Sequence, residues 1–139
     1  MMARTVEVNR VGPRARPVVL IAEDQQELRQ LYAQQLVMSG FDVIEAANGA
    51  EAIDLTSLNL PDVILMDLSM PVVDGWEATK RLRADERTAH IPVVALTAHD
   101  GSGELQRATT AGCNWFVPKP CPPDALITEV RRILSGPRS

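Results

Sequence analysis

The stretch Asp62-Val-Ile-Leu-Met-Asp67, followed at once by Leu-Ser-Met-Pro-Val-Val-Asp74-Gly75, decides the fold of this chain. A nearly continuous apolar run of this length, rich in branched side chains, is the pattern of a strand buried on both faces of a parallel sheet. It ends on a carboxylate, and turn residues begin immediately. The first apolar run, Val18-Val-Leu-Ile-Ala22, ends the same way, on Glu23-Asp24. Carboxylates at the ends of parallel strands converge on one edge of the sheet, an arrangement that suits a hard cation and a reactive acid.

Working outward, further strand-like runs cover Asp42–Ala46, Pro92–Leu96 and Asn114–Val117. Helical spacing fills the gaps. Leu28, Leu31, Tyr32 and Leu36 recur on one face after Asp24, a candidate cap, and Gly40 ends that helix. A short second helix is expected at Ala50–Leu55, before Pro61. Later helices are expected at Gly75–Ala84, at Glu104–Ala111 (closed by Gly112) and at Asp124–Leu134. Strands alternating with helices predict an α/β domain with a doubly wound parallel sheet and helices on both faces. In such a sheet, ligands bind beyond the carboxyl ends of strands. Glu23, Asp24, Asp67, Thr97 and Lys119 all fall at such ends.

The bulk properties narrow the function. The chain has 139 residues, 45% of them hydrophobic, which fits one packed domain. Fourteen Lys and Arg against eighteen Asp and Glu give a net charge of −4, which argues against binding a nucleic-acid backbone. No apolar run reaches the length of a membrane span, and Met1-Met-Ala-Arg-Thr5 has no apolar signal core, so a cytoplasmic protein is expected. Cys113 and Cys121 are too few for a disulfide framework and are read as reduced thiols. With His90 and His99 they do not match zinc-site spacing. Residues 1–16 are expected to be a flexible tail, 17–135 the folded domain and 136–139 a frayed end. Gly101-Ser-Gly103 lacks the rest of a phosphate loop and is read as a flexible entry to the fourth helix.

Four pieces then stand together: Glu23-Asp24; Met66-Asp-Leu-Ser-Met-Pro71 with Asp74-Gly75; Leu96-Thr-Ala98; and Lys119-Pro120. In their order and spacing the chain resembles the receiver domain of two-component response regulators, from about Val18 to Leu134. The resemblance implies a flavodoxin-like five-stranded sheet of order 2-1-3-4-5 with five helices. It implies that Asp67 accepts a phosphoryl group, a known use of a carboxylate nucleophile. It implies Mg²⁺ held by Asp24 directly, by Glu23 through water, by Asp67 and by the backbone carbonyl of Ser69. Three crowded carboxylates repel by about 4 kcal/mol per pair at about 4 Å and an effective dielectric near 20. A divalent cation offsets that repulsion. Helix capping is the plainer reading of Glu23-Asp24, and Asp24 is able to do both.

The resemblance further makes Lys119 the positive charge for the phosphoryl group, followed by a cis peptide to Pro120. Thr97 becomes the hydroxyl that draws in the following loop, and Phe116 the aromatic that follows it; ordinary strand and core roles are the alternatives. Ser69 and His99 occupy positions that tune the lifetime of the acyl phosphate, His99 either guiding water or filling space. Trp115 departs from the family pattern and reads equally as a partner anchor or as local packing against the fourth helix. The implied partners are a histidine kinase or histidine phosphotransfer protein as donor and a downstream protein target. The target would be met by the face of the fourth helix, fifth strand and fifth helix. The protein is expected to be a monomer or weak homodimer, stand-alone or cut from a longer chain, and to catalyse only its own phosphorylation and dephosphorylation. Two other classes compete: a phosphorylation-independent interaction module of the same fold, and a small-molecule phosphatase, which Ser69 in place of a second acid disfavours.

Overall fold

The computed structural model describes residues 16–97 and 104–136. The expected tail up to residue 15, Ala98, His99 and Gly101-Ser-Gly103 lie outside them, as do residues 137–139. The elements run β1 (Val18–Ala22), α1 (Gln26–Met38), β2 (Asp42–Ala46), α2 (Gly49–Asn59), β3 (Val63–Asp67), α3 (Gly75–Ala84), β4 (Val93–Thr97), α4 (Glu104–Ala111), β5 (Trp115–Pro118) and α5 (Pro123–Ser135). The strands form one parallel sheet of order β2-β1-β3-β4-β5.

Every residue of β1, β3 and β4 is buried, as strands covered on both faces must be. Alternation along each strand divides the core in two. Leu20, Ile44, Ile64, Met66 and Ala95 pack with Ala52, Ala78, Leu82 and Ala108, on the side of α2, α3 and α4. Val19, Ile21, Val43, Leu65 and Leu96 pack with Tyr32, Leu36, Leu126 and Val130, on the side of α1 and α5. The chain crosses from β2 back over β1 to β3, so the strand order reverses between β1 and β3. The acids that follow β1 and end β3 therefore face one another across the crevice where such sheets bind ligands.

The elements differ from the sequence expectation mostly at their ends. β3, β4 and β5 each start one residue later than expected. Asp62 sits before β3 because its carboxylate accepts the Val18 N–H at 2.7 Å. Asn114 precedes β5, where its side-chain oxygen accepts from the Val93 N–H at 2.9 Å and from Arg83 at 2.6 Å. Asp24 is not a helix cap: Gln25 takes the N-cap position of α1 with no side-chain cap bond. Asp24 is thereby left free of helix duty at the sheet edge. α2 runs on past Leu55 to Asn59, and is well started. The Asn48 side chain accepts the Glu51 N–H at 2.9 Å, and the Glu51 carboxylate accepts the Ala47 N–H at 2.8 Å. Asn48→Ala is expected to cost about 1 kcal/mol in urea unfolding; no change would show that α2 is held by packing alone.

The turn after β3 is tightly seated. The Gly75 N–H donates to the Leu68 carbonyl at 2.9 Å. A Cβ at Gly75 would meet the Asp67 carbonyl oxygen and lie 2.7 Å from Leu68 Cα. Glycine here lets α3 begin directly against the end of β3, with Asp74 as its cap through the Glu77 N–H at 2.9 Å. This close approach fixes the backbone that carries Asp67.

Candidate functional site

Glu23, Asp24 and Asp67 each bring a carboxylate oxygen to within 4.8 Å of the others. Glu23 and Asp67 are buried and Asp24 is exposed, so the cluster has a closed inner end and a wet outer one. Lys119 reaches in from beyond β5. Its Nζ lies 3.1 Å from Glu23 Oε1 and 3.3 Å from Asp67 Oδ1. The Lys119 N–H donates to the Thr97 carbonyl at 2.7 Å, which extends the β4–β5 ladder to the lysine itself. The Lys119-Pro120 peptide is cis.

The charges do not cancel. Burial pushes the Asp67 carboxyl up from 3.8, Glu23 pushes it further, and the result is about 7 despite the opposing pull of Lys119 and of the Ser69 N–H. Burial lowers Lys119, but Asp67 and Glu23 outweigh it and hold the ammonium above the ordinary lysine value. The constellation is short of positive charge in the neutral range. It has hard oxygen donors, an open side and an uncompensated buried acid, which fits a small divalent cation.

A cleft of about 490 Å³ opens beside the acids, lined by Gln25, Leu28, Tyr32, Ser69, Lys119 and Pro120 among others. Ser69 is exposed at its rim, and its N–H points to Asp67 Oδ1 at 3.4 Å. Thr97 ends β4 in a buried position. Phe116 is half-buried and packs on the α2–α4 side of the core; Trp115 is half-buried and packs on the α1–α5 side. The packing expected for Trp115 against the fourth helix is therefore not found: its position in β5 turns the ring to the face opposite α4. On the other side of the sheet, Arg107 of α4 stacks over the Trp76 ring of α3, 3.8 Å from its centroid.

Of the residues singled out in the sequence, the acids and Lys119 come together, Ser69 borders them, and Thr97 and Phe116 stand one strand or more away. Nothing in the sequence marks Arg29 and Tyr32 as site residues, yet both bond to the backbone that carries the site, and Tyr32 also lines the cleft. Arg29 Nη1 donates to the Glu23 carbonyl at 2.9 Å, and the Tyr32 hydroxyl donates to the Cys121 carbonyl at 2.7 Å. The helical period marks Tyr32 as a core position and is silent on where its hydroxyl goes. A contact between residues so far apart in the chain leaves no local trace.

Comparison with known proteins agrees with this geometry. Residues 19–131 match the response regulator receiver domain. The chain belongs to that family. The receiver is 37% identical to the polar-differentiation response regulator DivK of Brucella anthropi, over 84% of this chain and 94% of that one. It superposes on the chemotaxis protein CheY4 of Vibrio cholerae with a TM-score of 0.81 at 30% identity, covering 86% of this chain and all of that one (100%). It is also similar to the receiver domain of a Pseudomonas aeruginosa sensor histidine kinase, determined with a magnesium ion coordinated in its active-site cleft. There the TM-score is 0.76 at 32% identity, over 86% and 95% of the two chains. Among the described residues of this receiver no helix is long and apolar enough to cross a membrane.

Proposed function

We propose that this receiver is a phosphoacceptor switch in a phosphorelay, with Asp67 as the acceptor. The observation that carries the reading is the placement of Asp67. It is a buried carboxylate at the sheet edge with Lys119 at 3.3 Å and two further acids within 4.8 Å. The donor is the phosphohistidine of a histidine kinase or histidine phosphotransfer protein. An Asp67 carboxylate oxygen attacks phosphorus, an O–P bond forms, the P–N bond breaks, and the imidazole leaves with the bonding electrons and takes up a proton. The protein turns over no separate substrate; it acts only on its own phosphorylation and dephosphorylation.

Glu23, Asp24, Asp67 and the Ser69 carbonyl would hold Mg²⁺. When bound, the ion neutralises the crowded acids and the phosphoryl oxygens during transfer. The chain's own residues do the rest. Lys119 holds the acceptor in place before transfer and faces the phosphoryl group after it. The Thr97 hydroxyl donates to a phosphoryl oxygen, and the half-buried Phe116 follows by repacking. Ser69, exposed at the rim of the cleft, borders the path of the hydrolytic water, and His99, outside the described residues, is assigned the same tuning role on the family resemblance alone. The face of α4, β5 and α5 then carries the change to a downstream protein, in the cytoplasm, with the receiver a monomer or weak dimer.

The test uses acetyl phosphate as donor. With Mg²⁺, the intact mass is expected to rise by one phosphoryl group. Neither Asp67→Asn nor wild type under chelation is expected to gain it. A gain that survives Asp67→Asn, or no gain in wild type, would overturn the assignment; the second result joined to unchanged partner binding would favour a constitutive interaction module.

A further inference from the structure

The acid pair and the lysine loop are both held from one helix. Arg29 of α1 forks between two acceptors: Nη1 donates to the Glu23 carbonyl at 2.9 Å and Nε to Glu45 Oε1 at 3.1 Å. This ion pair is sheltered, with side-chain exposures of 14% and 18%, so it is a fixed strut rather than a solvated surface contact. Glu45 stands in β2, whose register with β1 is set by the sheet ladder. Arg29 therefore ties the loop that carries Glu23 and Asp24 to both a helix and a neighbouring strand. The same loop is closed locally by the Glu23 N–H to the Ala46 carbonyl at 3.0 Å and the Gln25 N–H to Glu23 Oε2 at 3.1 Å.

Three residues on, along the same face of α1, stands Tyr32. It is buried, and its hydroxyl donates to the Cys121 carbonyl at 2.7 Å. Cys121 lies two residues beyond Lys119. A buried hydroxyl with a short bond to a loop carbonyl fixes that loop, because leaving either group unpaired carries a desolvation cost. The acids and the lysine thus come from opposite ends of the sequence and meet across the cleft, and one turn of α1 grips both through backbone carbonyls.

We infer that Arg29 and Tyr32 are positioning residues for this site, Arg29 setting the acid pair and Tyr32 setting the lysine loop. The inference rests on the phosphoacceptor reading above. It separates the two halves of the site: Arg29 governs how tightly the acids hold Mg²⁺, and Tyr32 governs how fast the acceptor reacts once Mg²⁺ is bound.

The experiment measures Mg²⁺ affinity by calorimetry, and the rate of phosphorylation by acetyl phosphate at saturating Mg²⁺, in the full chain. Arg29→Lys keeps the charge but has no fork to reach both acceptors. Its Mg²⁺ affinity is expected to fall about tenfold, the usual scale for a residue that orients a ligand, with the saturated rate near wild type. Tyr32→Phe keeps the ring and the core; its affinity is expected to match wild type while the saturated rate falls. Glu45→Gln, which loosens the strut without touching α1, is expected to follow Arg29→Lys with a smaller effect, and carries the test if Arg29→Lys does not fold. Variants that both match wild type, or that lose affinity and rate together in step with thermal stability, overturn the inference alone. A wild type that neither binds Mg²⁺ nor takes a phosphoryl group overturns the phosphoacceptor reading with it.

Discussion

Asp67→Asn is expected to make the metal-free receiver more stable, by about 2 kcal/mol at about pH 8, and to leave stability unchanged near pH 4. The sign follows from linkage. The folded Asp67 carboxyl titrates at about 7 and its unfolded counterpart at 3.8. Between those values the folded state holds a proton that the unfolded state has released, so stability falls as pH rises through that window. Above about 7 the full penalty of an ionised, crowded acid is present; below 3.8 it is gone. Each pKa unit corresponds to about 1.4 kcal/mol, which sets a ceiling of about 4 kcal/mol. The site opens onto a cleft, and solvent screening brings the expected gain to about half of that. The value of about 7 already contains the favourable pull of Lys119, so losing that ion pair in the variant does not reverse the sign.

Urea unfolding at several pH values under chelation measures the effect. A gain equal at acid and alkaline pH would mean improved packing, and no gain above neutrality would mean that the acids are not crowded as the structure has them. Adding Mg²⁺ should shrink the difference. A ligand that binds the folded state stabilises it by about 2.7 kcal/mol at a hundredfold excess over its dissociation constant. Wild type has the full set of carboxylates to gain from this, and Asp67→Asn lacks one.

The fold was legible because its strands are so apolar. Val18–Ala22 and Val63–Met66 carry no polar residue, and only a sheet covered on both faces buries such runs. The acids were legible because each ends such a run. Boundaries were less so: Asp62 and Asn114 look like strand starts, yet their side chains are used by backbone groups of other segments, Val18 and Val93. Asp24 looks like a cap because acids before helices usually are. The helix starts one residue later, and the carboxylate belongs to the cluster. Arg29 and Tyr32 were opaque for a deeper reason. Helical spacing assigns a side chain to a face, but its polar end is placed by tertiary contacts, here with Glu23, Glu45 and Cys121 on three other segments.

Lys119→Met is expected to act in the opposite direction from Asp67→Asn. It removes the ammonium and leaves most of the apolar stem. Glu23 is fully buried and meets that ammonium at 3.1 Å. Breaking a buried pair by deleting one partner costs about 3–5 kcal/mol. Lys119 is partly exposed, with a side chain at 24%, and Asp67 is able to take up a proton, so about 2–3 kcal/mol is expected near neutral pH. The cost should grow as pH rises, because Asp67 loses the cation that does most to lower its titration point, keeps only the Ser69 N–H, and then needs its proton at still higher pH to limit the repulsion. Mg²⁺ should restore most of the lost stability, since a dication among the three carboxylates supplies the charge that the lysine gave. It should not restore the rate at which acetyl phosphate modifies Asp67, because the donor that faces the phosphoryl group is still missing. Stability rescued without rate is the signature of a lysine that serves both as counter-ion before transfer and as phosphoryl partner during it. If Mg²⁺ left Lys119→Met as unstable as chelation does, the three acids would not form a metal site, and the structural basis for Asp67 as acceptor would fall with it.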